Sequence, residues 1–340
     1  MAVVNPMKKA TRSIWASFGA VLLICFALCG NSYAQFAGGD GTPENPYQIE
    51  NAQQFDQVRN HLQSHFRLTA DIDLNIAPYD QEEGWKPIGD RFEGSLDGNG
   101  FAIRNMMINK SGATYMALFK HIRNANIESL KLTNFNVSAQ TKVAGLAGYI
   151  ESSTIYDIEL SGTINGERNE IGGLAGTISS SMIYQVHGDV DVSGEYYVGA
   201  LAGNLGSASV RHASISGSVS GNSYVGGFSG YYNAGNSSGY SISDAISYAS
   251  VQGEGNNQRA IGGFLGKIQT GTIFHAISTG RVQSTAENKG GFLGEFYTGT
   301  IVGCLWDAQQ SGLSTSAGHE GSTFGLQTNE LRSAERLKEF

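Results

Sequence analysis

The sequence predicts an all-β protein: a parallel β-solenoid (β-helix) of about seven coils of 27–28 residues, with an N-terminal cap that contains a helix. Three observations predict this fold. A glycine-rich hexapeptide recurs at a nearly constant interval, a β-branched residue follows each copy at a fixed distance, and apolar and polar residues then alternate along the chain. A fixed period of this length is the signature of a repeat architecture.

The hexapeptide is the most regular of these features. Its copies begin at residues 143, 171, 198, 225, 261 and 289, and YMALFK at 115 is a degenerate copy one period earlier. We expect its glycines to adopt backbone conformations closed to other residues and to permit close approach at one corner of each coil, while its Leu or Phe points inward. The glycines given this structural role are Gly145, Gly148, Gly172, Gly173, Gly176, Gly199, Gly203, Gly226, Gly227, Gly230, Gly262, Gly263, Gly266, Gly290, Gly291 and Gly294.

Each hexapeptide is followed by a predicted strand. An Ile or Val lies twelve residues after the start of a copy, and apolar positions then alternate with polar ones, as at Ile158 and Leu160. Such alternation indicates a strand with one buried face, and parallel strands bury that face when successive coils stack. The strands begin at Ile127, Ile155, Ile183, Val210, Ile273 and Ile301, and Ile242 arrives five residues late after YYNAGNSSGYS, which we expect to be a surface loop.

The N-terminus has the features of a secretory signal peptide. Lys8, Lys9 and Arg12 precede an apolar stretch, and small residues then precede a predicted cleavage site after Ala34. We therefore expect a secreted or bacterial cell-surface protein. Its predicted regions are the signal peptide (1–34), an N-terminal capping region (35–110), the repeat solenoid (111–307) and a C-terminal cap or tail (308–340), which we expect to continue beyond Phe340.

The charge and the cysteines narrow the classes of function. Removal of residues 1–34 takes three of the 22 basic residues and none of the 30 acidic ones, so the mature chain carries 19 − 30 = −11. This charge argues against nucleic acid or anionic lipid as a partner. Cys304 is the only cysteine left, which excludes an intramolecular disulfide. No apolar run of the mature chain reaches the ~18–20 residues of a membrane span.

Local signals predict how the ends are built. Asn51 and Gln54 form a capping pair for a helix through about Leu62, which we expect to cover the open end of the solenoid. DGNG at 97–100 predicts a tight hairpin turn. The C-terminal segment TNELRSAERLKEF predicts a helix with Thr328 as its N-cap.

The hexapeptide with its following strand resembles the GLUG repeat of bacterial secreted and surface proteins. The segments GGDGTPENPYQIENAQQFDQ, WKPIG and FEGSLDGNGFAIRN before the repeats, and LWDAQQSGLSTSAG after them, are also similar to the flanks of that family, so the resemblance covers about 38–331. It implies a β-helical extracellular module of adhesin-like proteins, found also as an accessory region of immunoglobulin A-cleaving peptidases. It implies no catalytic residues.

No catalytic residue or cofactor site is predicted. Stacking would place His212, Asp244 and His275 in one outward column, a candidate metal site whose alternative is a solvated surface column. Asp71 and Asp73 are a candidate Ca²⁺ pair whose alternative is two solvated acids. HEGST at 319–323 lacks the second histidine of a zinc peptidase motif.

The predicted function is that of a non-enzymatic secreted or cell-surface repeat module, adhesin-like or a structural spacer. The alternatives are a carbohydrate-active β-helix enzyme, lyase or hydrolase, and a binding module for a host or environmental glycan or protein. Tyr197 and Tyr224 each precede a hexapeptide, so we expect them to stack across neighbouring coils, where they would contact a sugar or only stabilise the solenoid. The sequence leaves the oligomeric state open.

Overall fold

Successive turns of the chain stack in register in the computed structural model, which describes residues 35–235, 239–318 and 323–333. The predicted signal peptide lies outside the described residues, as does most of HEGST at 319–323. The described strands pair in parallel in two sheets. The smaller one contains β7 (Phe119–Arg123), β9 (Ala147–Glu151), β12 (Ala175–Ser179), β15 (Ala202–Leu205), β18 (Ser229–Asn233), β23 (Leu265–Thr270) and β28 (Leu293–Phe296).

The larger sheet holds the other described strands. The longest of them, which bend around corners of the solenoid, include β8 (Asn126–Ala144), β10 (Thr154–Gly166), β13 (Ser181–Ser193) and β16 (Ala208–Gly221). The rest are β1 (Tyr47–Ile49), β2 (His65–Leu68), β3 (Ile72–Asp73), β4 (Ser95–Asp97), β5 (Ala102–Arg104), β6 (Met107–Met116), β11 (Asn169–Gly172), β14 (Tyr196–Gly199), β17 (Ser223–Gly226), β19 (Ser241–Ser243), β20 (Ile246–Ser247), β21 (Ser250–Gly253), β22 (Arg259–Gly262), β24 (Thr272–Phe274), β25 (Ile277–Ser278), β26 (Val282–Gln283), β27 (Lys289–Gly290), β29 (Thr300–Val302), β30 (Cys304–Asp307) and β31 (Thr323–Leu326).

The predicted fold class, a parallel β-solenoid, is confirmed, and so is its register. The predicted first strand residues pair in the order Ile127, Ile155, Ile183, Val210, Ile242, Ile273 and Ile301. The same ladder continues toward the N-terminus through Leu96 to Phe66. The solenoid therefore has about nine turns rather than seven, and its first turns lie within the segment 35–110.

The hexapeptides also pair as predicted, from Val143 through Ile171 to Lys289. The degenerate copy differs by one residue, because Met116 rather than Tyr115 pairs with Val143. The inward Leu and Phe side chains occupy the same position in successive turns, and all of them are fully buried: Leu146, Leu174, Leu201, Phe228, Phe264 and Phe292.

Two reasons are predicted for the hexapeptide glycines, a backbone conformation closed to other residues and close approach at a corner, and the structure shows the second but not the first. None of them has a positive φ, so ordinary residues could adopt their backbone conformations. The positive φ at this corner belongs to the residue just before the hexapeptide, as at Glu170 (φ 61°) and Tyr197 (φ 54°). Close approach is what requires glycine: a Cβ on Gly173 would lie 2.1 Å from the carbonyl oxygen of Ala200 in the next turn.

The predicted hairpin at 97–100 is wrong. Strands β4 and β5, on either side of DGNG, do not pair with each other but both pair in parallel with β8. Asn99 (φ 51°) and Gly100 (φ 79°) form a corner of the coil instead. A sequence of turn residues is compatible with either arrangement, and the neighbouring turn decides between them.

Helix α1 (Ala52–Gln57) continues as a 3₁₀ turn (Val58–Asn60). As predicted, Asn51 Oδ1 accepts a hydrogen bond from the Gln54 backbone N–H at 2.9 Å, and Gln54 Oε1 accepts one from the Glu50 N–H at 2.8 Å. The buried Phe55 side chain contacts the rings of Trp85 and Phe119. The helix therefore packs over the N-terminal end of the smaller sheet, which begins with β7.

The C-terminal end contains two short helices, α2 (Ala308–Ser311) and α3 (Thr328–Leu331). The prediction that Thr328 is the N-cap of α3 is wrong, because Thr328 is the first residue of the helix. Gln327 caps it through a capping box with Glu330, and the Thr328 hydroxyl donates to the carboxylate of Asp307 at 2.8 Å.

The predicted loop YYNAGNSSGYS is only partly a loop. Tyr231 and Tyr232 belong to β18, and Tyr232 is fully buried, with its hydroxyl donating to the carbonyl oxygen of Tyr240 at 3.3 Å. Burial raises the pKa of Tyr232 to about 12.

Candidate functional site

Two columns of polar and aromatic side chains run side by side along one corner of the solenoid. The first column consists of the positive-φ residues before the hexapeptides and of Arg259, which lies next to the positive-φ residue Ala260. The second is a ladder of buried and half-buried residues on the smaller sheet. We call these residues together the corner stripe: Tyr115, Lys142, Glu170, Tyr197, Tyr224 and Arg259, with Tyr149, Thr177, Asn204, Tyr231, Lys267 and Glu295.

A lysine–glutamate pair organises the N-terminal half of the corner stripe. Lys142 Nζ lies 2.5 Å from Glu170 Oε2, and their side chains are only 18% and 19% exposed. Thr177 Oγ1 accepts from Lys142 at 2.7 Å and donates to Glu170 at 2.9 Å, and Asn204 donates to Glu170 at 3.1 Å. The ammonium group also lies 5.5 Å from the ring centre of Tyr149.

The electrostatics of this pair show which effect dominates. Burial alone would raise the pKa of Glu170, because it penalises the charged carboxylate. The hydrogen bond and charge of Lys142, with the hydrogen bonds from Asn204 and Thr177, outweigh burial and lower the pKa below its ordinary value. The ion pair therefore links two neighbouring turns of the solenoid.

Stacked tyrosines form the C-terminal half. The rings of Tyr197 and Tyr224 are 5.0 Å apart and nearly parallel, as predicted, and Tyr231 packs edge-on against Tyr197 at 5.4 Å. Arg259 and Lys267 lie over Tyr224 at 5.4 Å and 5.8 Å.

Glu295 closes this half of the stripe. It lies 2.8 Å from Lys267 and 3.3 Å from Arg259. Burial would raise the pKa of Glu295, but its hydrogen bonds to these two cations lower it. The cations that cover Tyr224 are therefore held in place from the next turn.

The geometry of the corner stripe suits it to clamping turns together. A sugar ring stacks on the open face of an aromatic side chain, but Tyr197 and Tyr224 lie against each other, Tyr197 also contacts Tyr231, and Tyr224 is covered by the two cations. Sequence reasoning found the two tyrosines and missed the Lys142–Glu170 pair. The register could have revealed it, because Lys142 and Glu170 occupy the same position before their hexapeptides as Tyr197 does.

The three residues of the predicted His–Asp–His column do stack, and each of them lies at a corner of its turn. His212, Asp244 and His275 all have positive φ, between 48° and 53°, a conformation in which Asp and His are enriched among non-glycine residues. His275 Nδ1 lies 3.5 Å from Asp244 Oδ1, while the His212 ring packs edge-on against Tyr184 at 5.1 Å. Among the described residues, no three His, Cys, Asp or Glu side chains are grouped as a metal site requires.

The candidate Ca²⁺ pair is engaged with protein partners. Asp71 forms an ion pair with Arg104 and accepts the Ala102 N–H at 2.8 Å. Asp73 accepts from the side chain of Asn105 at 2.8 Å, and this bond lowers its pKa. The two acids therefore link β3 to the neighbouring turn.

Cys304 is fully buried, and burial raises its pKa to about 12, so its thiol is unreactive at neutral pH. No helix among the described residues is long and apolar enough to cross a membrane.

The comparisons with known proteins agree with a repeat fold. No family model matches the chain. Over 136 residues it is 40% identical to a candidate Gly-rich membrane protein of Evansella cellulosilytica, covering 37% of this chain and 16% of that protein. Over 123 residues it is 35% identical to halomucin of Haloquadratum walsbyi, covering 32% of this chain and 1% of halomucin. The matches thus span a small part of each relative's length.

One solved structure has the same overall fold. A candidate immunoglobulin A1 protease from Bacteroides ovatus superposes with a TM-score of 0.62 at 19% identity, over 90% of each chain. At this identity the likeness shows the fold alone.

Proposed function

We propose that the chain is a non-enzymatic, secreted or cell-surface repeat module that serves as a rigid, adhesin-like spacer outside the cell. The observation that carries the proposal is the unbroken parallel ladder, whose neighbouring turns are clamped along the corner stripe. Each turn repeats the same contacts, so stability is distributed along the molecule and its length grows with the number of turns. The resemblance to GLUG-repeat proteins and the short match to a membrane protein support a location at the cell surface.

The enzymatic alternative has less support. Asp189 and Asp191 are adjacent outward carboxylates on β13, the arrangement nearest to a pair of catalytic acids. Each already accepts a hydroxyl from the next turn, Ser216 at 2.9 Å and Ser218 at 2.5 Å. Both carboxylates are thus engaged with the neighbouring turn, whereas glycoside hydrolysis needs two carboxyl groups that face the scissile bond.

Two measurements test the proposal in the source organism. Protease treatment of intact cells should release peptides of this protein, and deletion of its gene should reduce attachment of the cells to surfaces or to each other. Purified full-length protein should produce no reducing ends and no unsaturated products from a panel of neutral and acidic polysaccharides. Turnover of any of these, or a protein found only inside the cell, would overturn the proposal.

A further inference from the structure

A shallow groove runs along the outward face of the larger sheet, parallel to the solenoid axis. Its floor is a ladder of short polar residues at one height in successive turns: Thr133, Ser161, Asp189 and Ser216. Tyr248 continues the row in the next turn, where its N–H donates to the carbonyl oxygen of Ile215 at 2.7 Å. We call this row and its flanking residues the sheet groove.

The sheet groove has two stretches that meet at Tyr248. The N-terminal stretch has a volume of about 370 Å³ and is also lined by Glu159 and His187. The C-terminal stretch has a volume of about 480 Å³ and is lined by Tyr248 together with Thr279 and Arg332. With turns spaced by about 4.8 Å, the row from Thr133 to Thr279 extends for about 24 Å. A ligand that fills it must be elongated.

Tyr248 differs from the tyrosines of the corner stripe. Its side chain is 52% exposed, and it has no aromatic or cation–π contact with any other described residue. Unlike Tyr197 and Tyr224, it therefore offers an uncovered ring where the two stretches of the groove meet. An aromatic ring of this kind packs against the C–H face of a sugar ring.

The remaining groups of the groove favour hydroxyl-rich, uncharged ligands. Serine and threonine hydroxyls both donate and accept hydrogen bonds, and carboxylates accept them from ligand hydroxyls. His187 Nδ1 lies 2.6 Å from Ser214 Oγ, and this hydrogen bond holds both side chains at the wall of the groove. Glu159 is paired with Lys131 at 3.2 Å, which leaves Asp189 as the unneutralised acid of the N-terminal stretch, and its carboxylate disfavours uronic acids and other anions.

An extended peptide is a poorer match. Peptides add to sheets through free backbone groups at an edge strand. In the groove the backbone groups of β10 and β13 are paired on both sides, with β8 and β16 as the outer neighbours. Only side chains are available to a ligand here, as in the recognition of a glycan.

We propose that the sheet groove binds an extended neutral glycan, with Tyr248 stacked on one of its sugar rings. The regular spacing of the turns matches a polymer of repeating units, and the hydroxyl and carboxylate rows meet its hydroxyl groups. This inference goes beyond the proposed function, because a spacer needs no ligand.

The test uses full-length protein and defined probes. Co-sedimentation with insoluble cellulose, chitin, xylan and mannan should show binding to at least one, and soluble polygalacturonate and alginate should not bind. Against the neutral polymer that binds, Tyr248→Ala should weaken affinity at least tenfold in titration calorimetry with its hexasaccharide. Tyr248→Phe should retain affinity, because stacking needs the ring rather than the hydroxyl.

Tyr297→Ala is the matched control, since Tyr297 is 69% exposed but does not line the groove. It should bind like the wild type, and unchanged circular dichroism and melting temperature should show that Tyr248→Ala remains folded. No binding to any neutral polymer, equal loss in both alanine variants, or tighter binding of the acidic polymers would overturn the inference. These outcomes would leave the spacer proposal standing, because its test is surface exposure and attachment.

Discussion

At the scale of single residues, backbone conformation and close approach explain most of the repeat. Corner positions with positive φ hold Asp157, His212, Asp244 and His275, which is why their column resembles a ligand set without assembling one. At most of the hexapeptide glycines a side chain would collide with the backbone of the same or a neighbouring turn, and at Gly291 it would collide with the ring of Trp306. The residue types at a repeated position are therefore explained by backbone conformation and close approach, and they are not by themselves evidence of ligand binding.

The buried ion pair of the corner stripe gives the first prediction. Glu170→Gln leaves the Lys142 ammonium group, only 18% exposed, without its counterion. We expect it to reduce the free energy of unfolding by about 2–4 kcal/mol in urea titrations at pH 7. Glu159→Gln is the control: its pair with Lys131 is exposed, so the loss should be below about 1 kcal/mol. Equal losses would mean that the buried pair does not stabilise the turns.

The same pair predicts a dependence on pH. Because the pKa of Glu170 is lower in the folded protein than its ordinary value of 4.5, its stabilisation is fully present above pH 4.5 and is lost as the pH falls through the folded pKa. The difference in stability between wild type and Glu170→Gln should therefore shrink as the pH falls below 4.5. Urea titrations between pH 3 and pH 7 measure it, and a constant difference would contradict the assignment.

A glycine of the hexapeptide gives a second test. In Gly173→Ala the new Cβ would lie 2.1 Å from the Ala200 carbonyl oxygen, so two turns must separate. We expect a loss of at least about 3 kcal/mol or failure to fold. The control Gly239→Ala meets no atom within 4 Å and should change stability by less than about 0.5 kcal/mol. Thermal melts compare the two, and a stable Gly173→Ala protein would show that the turns are not in such close contact.

At the scale of elements, local signals predicted the cap of α1 but failed for the N-cap of α3 and for the corner at 97–100. Asn51 and Gln54 cap α1 as predicted, because the capping groups are only three residues apart. DGNG does not form a hairpin, because β4 and β5 both find their partner in β8, a strand more than twenty residues further along the chain. A strand's partner depends on the whole coil and not on the residues of the turn.

The N-cap of α1 gives an element-scale prediction. Asn51→Ala removes the acceptor of the Gln54 N–H and should lower stability by about 1 kcal/mol. Gln53→Ala, on the exposed side of the same helix, should have little effect. Chemical denaturation of both variants measures the difference. If Asn51→Ala is as stable as Gln53→Ala, the cap contributes nothing to the folded state.

At the scale of the whole molecule, each turn contacts mainly its neighbours, so the effect of a core mutation should be graded along the axis. Ile183→Ala removes a buried side chain from the central ladder and should cost about 2–5 kcal/mol. Hydrogen exchange should show the greatest loss of protection in the turns that contain Ile155 and Val210, and less in the turn of Ile301.

Met182→Ala is the matched control for this variant, because Met182 precedes Ile183 in the same strand but is 58% exposed. Protection in all turns should stay close to that of the wild type. A uniform loss of protection in Ile183→Ala from the first turn to the last would show instead that the solenoid unfolds as one cooperative unit.

The sequence by itself determined the fold class, the period and the register. A 27–28-residue repeat with alternating strands must stack in parallel to bury its apolar face, and a fixed offset then places like residues above like. The stacked pair Tyr197–Tyr224 followed from that register alone.

Only the tertiary structure decided the number of turns, the roles of the corners and the accessible surface. The first turns lack the hexapeptide, so their membership in the ladder is visible only in the strand pairing, as where Phe66 pairs with Leu96 and Leu96 with Ile127. Tyr197 and Tyr248 are both tyrosines beside a polar row, yet the ring of Tyr197 packs against Tyr224 and Tyr231 of the next turn, whereas Tyr248 is 52% exposed. That difference depends on which side chains meet across turns, a long-range property that no local pattern encodes.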